Sequence, residues 1–285
     1  PTTGGYTIYS YNSGQTSNIS FNTATNDAAL ITYTNQISGQ NFSTNTECFN
    51  WYATQSNYVC VNQDYEGIIT TSLLFNLDSG FVPSYTSSGT SWYDLSYNAY
   101  NGTLTNGPTF NSTNGGSIVF DGVDDYVNCG TNFTSSNYSY PFTTEIWVYV
   151  DATGNTTTNR GIFATSNSTT LSVYNGLSVG LGSSYNGSGN YKVFLNVGNG
   201  VSAGTTGRYS LTSNNEVLTG NAWNHIIATY NTGPTFTCYV NGVSVAGVTS
   251  GTGGALVWGT SKITTLGYSV GGYQYYFKGR VAIAR

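Results

Sequence analysis

The sequence predicts a mainly β protein, a jelly-roll sandwich of two packed antiparallel sheets, preceded by a small α/β domain. Three observations carry this. Gly 36 against Pro 5, with 25 tyrosines among abundant Thr and Val, favours many short strands joined by glycine turns. The segment TTEIWVYVD alternates Thr144, Ile146, Val148 and Val150 against Glu145, Trp147, Tyr149 and Asp151, so each face has apolar or aromatic members. From about Leu73 onward, turn signals recur at roughly 8–12 residues, the spacing of a sandwich or jelly roll.

Residues 1–70 read as the α/β domain and residues 71–285 as the jelly roll. YTIYSYN opens as a strand. TNDAALITYTNQISG then offers a cap at Thr25-Asn26-Asp27, apolar Leu30, Ile31, Tyr33 and Ile37, and a terminating Gly39, which predicts a short helix. TNTECFNWYATQ places Thr44 and Glu47 at capping-box spacing before Phe49, Trp51 and Tyr52, which predicts a second. Further on, SIVFDGVDDYV reads as a hairpin with Asp121-Gly122 in its turn. TFTCYVNGVSVAGV reads as another, its two alternating runs meeting at Asn241-Gly242, a dipeptide suited to a type I′ turn.

With these strands placed, SIVFDGVDDYVNCG, FTTEIWVYVD, NAWNHIIATYNTGPTFTCYVNGVSV and YYFKGRVAIAR together resemble a laminin-G-like domain of the concanavalin A-like jelly-roll superfamily. That resemblance implies F-D-G-x-x-D-Y, a strand with a buried Trp, W-x-H before a strand and Y-V-N-G hairpin, and a closing F-x-G, all present in order. The lead-in LLFNLDSGFVPSYTSSGTSWYDLSYNAYNGTLTNGPTFNSTNGG, with GYTIYSYN and the segments after it, resembles structural proteins of marine tailed phages, cyanophages especially. One departure is visible. The family's last strand continues with an acid and a tyrosine-containing tail, whereas GRVAIAR has no acid, so the final strand is expected to be incomplete or its tail removed.

Composition excludes several functions. Net charge is -5 with 7 basic residues, which argues against nucleic acid, where clustered cations displace counterions. No apolar run approaches the roughly 20 residues of a membrane helix, so no membrane insertion is expected. Only 7% of residues are charged, against roughly 25% in an ordinary domain. At marine ionic strength the Debye length is on the order of 4 Å, so a hydroxyl- and amide-rich surface binds by shape and hydrogen bonds that salt barely weakens. Cys48, Cys60, Cys129 and Cys238 have no C-x-x-C spacing. An even count permits disulfides in three pairings, but a domain this large needs none, and reduced thiols are expected.

No catalyst is expected. A glycosidase needs two carboxylates at a defined separation, and glucanases of the superfamily supply them as E-x-D-x-x-E. EIWVYVD lacks the middle Asp and the second Glu. His225 is the one histidine, too few for a zinc site, and is expected to be packed and hydrogen-bonded. Asp121, Asp124 and Asp125 stand together at a turn. They read as turn chemistry or as a calcium site, which needs six to eight oxygens, although alternation would send adjacent Asp124 and Asp125 to opposite faces of a strand. Tyr185 and Tyr191 in SSYNGSGNY, and Tyr268, Tyr273 and Tyr276 in GYSVGGYQYYF, lie in loops whose Tyr, Asn, Ser and Gly suit glycan recognition; the alternative is that they pack into the core or decorate turns.

The resemblance therefore implies a non-enzymatic virion surface protein of tail-fibre or capsid-decoration type, its jelly roll attaching to host-surface glycan. Its N-terminal domain would contact other virion proteins, with oligomerisation in the assembly. A purely architectural subunit and a secreted bacterial adhesin, extracellular rather than on a virion, are the alternatives.

Overall fold

The computed structural model describes residues 5–10, 18–22, 28–54, 58–62, 73–96, 98–131, 133, 141–154, 159–167, 175–182, 188–200, 205–231, 235–253, 256–258, 263–269 and 275–285. The chain forms two units, Pro1–Ser72 and Leu73–Arg285.

In the first unit, strands Asn18–Asn22, Gly5–Ser10 and Tyr58–Asn62 form an antiparallel sheet in that order. Helix Ala28–Ser38 ends at Gly39, which takes φ +69° and donates its N–H to the Asn35 carbonyl at 3.0 Å. The expected cap at Thr25–Asp27 lies outside the described residues. Helix Asn45–Ala53 begins with the capping box its sequence encodes: Glu47 N–H donates to Thr44 Oγ1 at 3.2 Å, and Thr44 N–H to Glu47 Oε2 at 3.0 Å. Leu30, Thr34, Cys48 and Tyr52 are buried.

The second unit is a sandwich of two antiparallel sheets. One runs Val243–Ser244, Thr235–Val240, Ala222–Asn231, Phe142–Val150, Lys278–Ala284, Ser117–Asp121, Thr109–Asn111, with Leu77–Asp78 also on Lys278–Ala284. The other runs Gly247–Ser250, Arg208–Ser213, Lys192–Asn199, Asn175–Gly182, Arg160–Asn167, Ile263–Leu266, Tyr126–Asn128, Gly102–Thr105, Ser91–Trp92. Inward-facing Ile118, Phe120, Ile146, Val148, Leu181, Val193, Leu195, Ile226 and Phe277 fill the space between them. Cys48, Cys129 and Cys238 are buried free thiols; burial pushes Cys238 up to about 12, which keeps it un-ionised and inert.

Two expectations need correction. Ser117–Asp121 and Tyr126–Asn128 are not a hairpin. The first belongs to one sheet and the second to the other, so the turn between them carries the chain across the sandwich. Its residues resemble those of a hairpin because both strands alternate, but the first pairs with Lys278–Ala284 and the second with Gly102–Thr105. Trp147 is not the buried tryptophan. It lies on the outer face, 37% exposed, since Ile146 and Val148 take the inner positions; Trp92 is fully buried instead. The last strand, Lys278–Ala284, lies inside its sheet, bonded on both sides. By contrast, Asn241-Gly242 makes the expected hairpin, with φ +51° and +78° and Val240 opposite Val243.

Candidate functional site

The crossing turn builds one edge of the site. Asp121 Oδ1 accepts from Val123 N–H at 2.7 Å, and Asp125 Oδ2 reaches back to Asp121 N–H at 3.0 Å. Asn106 Nδ2 holds the turn from outside through the Asp124 carbonyl at 3.0 Å. Gly122 has φ +80°, and a Cβ there would stand 2.8 Å from Lys278 Cβ, so the glycine serves both the turn and its close approach to the last strand.

Because Asp124 and Asp125 sit in this turn and not on the strand that follows, the alternation that would separate them does not apply. One carboxylate oxygen from each of Asp121, Asp124 and Asp125 lies within 4.8 Å of the others. Asp121 and Asp124 are exposed and Asp125 is buried. Burial raises the Asp125 carboxyl above its ordinary range, and the neighbouring Asp121 and Asp124 charges add to this against the Asp121 N–H.

Beside the turn, the short antiparallel pair Tyr268–Ser269 and Tyr275–Tyr276 sets Tyr268 opposite Tyr276. Their rings stack with centroids 4.5 Å apart at 17°, and Tyr126, the first residue after the turn, lies 5.9 Å from Tyr268. All three are half-buried, so part of each side chain remains accessible. Burial raises the Tyr268 and Tyr276 phenols, and the Asp124 charge contributes at Tyr276, so both hydroxyls stay protonated donors. The two clusters thus adjoin: three ring faces, neutral hydroxyls and a group of carboxylates at one end of the sandwich.

The other tyrosines fare differently. Tyr191 is fully buried, its hydroxyl donating to the Ala152 carbonyl at 3.1 Å, so it is a core residue and not a ligand contact. The backbone bridge to Leu218 turns it inward. Tyr185 and Tyr273 lie outside the described residues.

On the outer face of the other sheet, Glu145 and His225 stand on adjacent strands, with Nε2 2.8 Å from Oε1. The imidazole stacks on Trp147 at 4.5 Å and 12°. Arg285 Nε lies 3.1 Å from the second Glu145 oxygen. Both oxygens of Glu145 therefore have partners, an ion-pair arrangement that fixes three strands rather than a carboxyl poised to protonate a leaving group.

Sequence reasoning missed two further features. Tyr126 stands in the F-D-G-x-x-D-Y block yet escaped notice as the third ring. Arg160 and Arg208, two of 7 basic residues, both line a small cleft on the sheet that contains Arg160–Asn167. The scarcity of cations was the signal available.

With this geometry in view, the protein belongs to the concanavalin A-like lectin/glucanases superfamily, whose laminin-G-type family model matches residues 121–285. The match begins at Asp121 itself, so it includes the acidic turn and all three clustered tyrosines. No curated protein matches by sequence. Among solved structures the chain is similar to domain 4 of the extracellular GH43 arabinanase AbnA of Geobacillus stearothermophilus, in complex with arabinotriose. Identity there is 18% and the TM-score 0.46, over 68% of this chain and 84% of that one. It is also similar to the binding domain of botulinum neurotoxin DC in complex with SialylT, at 14% identity and TM-score 0.50, over 76% of this chain and 47% of that one. The chain therefore spans about half of that binding domain. At 14% identity the likeness to the toxin domain shows the fold alone.

Proposed function

We propose that the protein is a non-enzymatic virion surface component whose jelly roll attaches to host-surface glycan. The observation that carries the glycan reading is the half-buried Tyr126, Tyr268 and Tyr276 cluster beside the Asp121–Asp125 turn. Pyranose C–H faces stack on tyrosine rings, and sugar hydroxyls pair with phenols and carboxylates, so the cluster offers both halves of sugar recognition. The complexes of the toxin binding domain with SialylT and of the arabinanase domain with arabinotriose are consistent with such use of the fold. The virion placement rests on the resemblance to marine phage proteins, with the N-terminal unit contacting other virion proteins and the assembly oligomeric.

Calcium is the candidate cofactor at Asp121, Asp124 and Asp125. Three carboxylates supply part of the six to eight oxygens it takes, and the exposure of Asp121 and Asp124 admits water for the rest. Burial is the main cause of the raised Asp125 carboxyl, and a cation there would relieve the lesser contribution, repulsion from Asp121 and Asp124.

The exposed Trp147 and Tyr239 on the outer face of their sheet favour the architectural reading, in which that face packs on a neighbouring subunit. Immunogold labelling of purified particles with antibody against residues 73–285 separates these. Gold on tail fibres or the tail tip supports attachment, and gold over the head supports decoration. Gold absent from particles and present on cells or in the medium overturns the virion placement in favour of an adhesin.

A further inference from the structure

The cleft beside the tyrosine pair has a chemistry of its own. Asn159, Arg160, Ser178, Asn196, Arg208 and Ser269 line it, with Phe194 and the backbone of Gly161 and Gly180. No carboxylate is among the described residues of this lining, in a chain whose net charge is -5. The cleft is preorganised. Arg160 Nη1 donates to the Tyr276 carbonyl at 2.6 Å, which ties its guanidinium to the strand that presents the stacked ring. Asn196 is buried and its Oδ1 accepts from Ser210 Oγ at 2.8 Å, so the amide's remaining polar atoms are its N–H donors. Gly253 donates its N–H to the Arg208 carbonyl at 2.9 Å and approaches so closely that a Cβ would lie 2.5 Å from that residue's backbone, which fixes the base of the second arginine. Ser269 closes one wall over Gly161, where a Cβ would lie 2.1 Å from its own.

We infer that this cleft is a subsite for one anionic oxygen-bearing group, the carboxylate or sulfate ester of an acidic sugar. Two guanidinium groups, amide donors and hydroxyls match such a group: planar forks of N–H donors pair with oxyanions in a geometry that an ammonium cannot reproduce. The cavity volume, about 20 Å³, is near the room that one or two waters need, so the cleft takes a head group and leaves the sugar ring outside. Ser269 follows Tyr268 directly, and Arg160 is bonded to Tyr276, so the subsite borders the ring platform. This inference rests on the glycan reading and adds its substrate class: acidic polysaccharide in preference to neutral.

The test is calorimetric titration of the full chain with four probes: an oligogalacturonate, its methyl ester, a sulfated galactan oligosaccharide and the unsulfated galactan. The acidic member of a pair is expected to bind on the order of tenfold to a hundredfold tighter than its neutral counterpart, the range of a charge-assisted contact. The preferred pair tells carboxylate from sulfate. Arg208→Gln abolishes the preference. Ser178→Asp, which keeps both arginines and sets a negative charge in the lining, does the same and covers the case in which the arginine variant misfolds. Equal affinity within both pairs, or a preference that survives Ser178→Asp in folded protein, overturns the inference and leaves the glycan reading standing. Binding of none of a broad glycan panel, neutral or acidic, overturns both.

Discussion

Two loops of the jelly roll are built on aspartate, and they use it in opposite ways. Asp94 is buried, and its two oxygens accept four hydrogen bonds, from the N–H groups of Asn76, Ser96 and Tyr100 and from Ser96 Oγ, at 2.7–2.9 Å. Its bonding capacity goes to the protein. The turn Asp121–Asp125 answers two of its own N–H groups and leaves Asp121 and Asp124 in contact with water. An acid whose lone pairs are all taken is a structural fastener. A group of acids with lone pairs to spare, beside half-buried aromatic rings, is equipped to meet a ligand.

The sharpest way to break this contrast is Asp94→Ala. It strands three backbone donors in a buried loop, so unfolding stability in urea should fall by about 3 kcal/mol or more, whereas Asp94→Asn should recover much of the loss. A loss under about 1 kcal/mol on Asp94→Ala would place Asp94 with the surface acids. Asp125→Ala removes one acceptor from one donor and should cost about 1–2 kcal/mol in the same assay. Asp124→Ala, whose side chain is exposed, should cost less than about 0.5 kcal/mol.

Acidity sharpens the contrast within the turn. The Asp125 carboxyl is raised, chiefly by burial, so the folded state holds that proton more tightly than the unfolded state. Its charged form therefore disfavours folding, and the penalty sets in as pH rises through the raised value and vanishes as pH falls below the ordinary aspartate range. Asp125→Asn keeps an oxygen acceptor and loses the charge. Relative to wild type, its midpoint temperature should rise with pH between about 4 and 7; a constant difference would mean that the carboxyl is not raised.

Calcium gives a further way to sharpen the contrast. At saturating ion the midpoint should rise by about 2–4 °C over the value with chelator, and Asp124→Ala should erase the rise without changing the chelated value. No rise in wild type would reduce the turn to hydrogen bonding alone.

Much of the fold was legible because it rests on local chemistry. The Thr44–Glu47 box, the Gly39 stop and the Asn241-Gly242 hairpin each need only neighbours within a few residues, and each stands as read. Alternation likewise assigned Ile146 and Val148 to one face. It could not say which face is inner, and the strand Trp that the resemblance implies to be buried, Trp147, lies outside, while Trp92 of the other sheet is fully buried. The Asp121-Gly122 turn shows the same limit on a larger scale. Its residues specify a reversal, but whether the next strand returns to the same sheet depends on partners at 102–105 and 278–281, far away in sequence. Misreading it also hid the convergence of Asp124 with Asp125. The tyrosines divide for a similar reason. Tyr191 occupies a glycine-rich segment like the others, but its bridge to Leu218 goes with full burial, while Tyr268 and Tyr276, paired with each other, stay half-buried. Arg160 and Arg208 lie 48 positions apart in the chain and come to line one cleft only through the order of four strands.

The central claim is that the rings beside the acidic turn hold sugar, and one glycan array tests it directly, with wild type and Tyr276→Ala probed side by side at matched protein stability. Wild type should bind at least one class of glycan, and the variant should lose on the order of tenfold or more, the worth of one aromatic contact. Equal binding by the two proteins, or none by either, would contradict the claim.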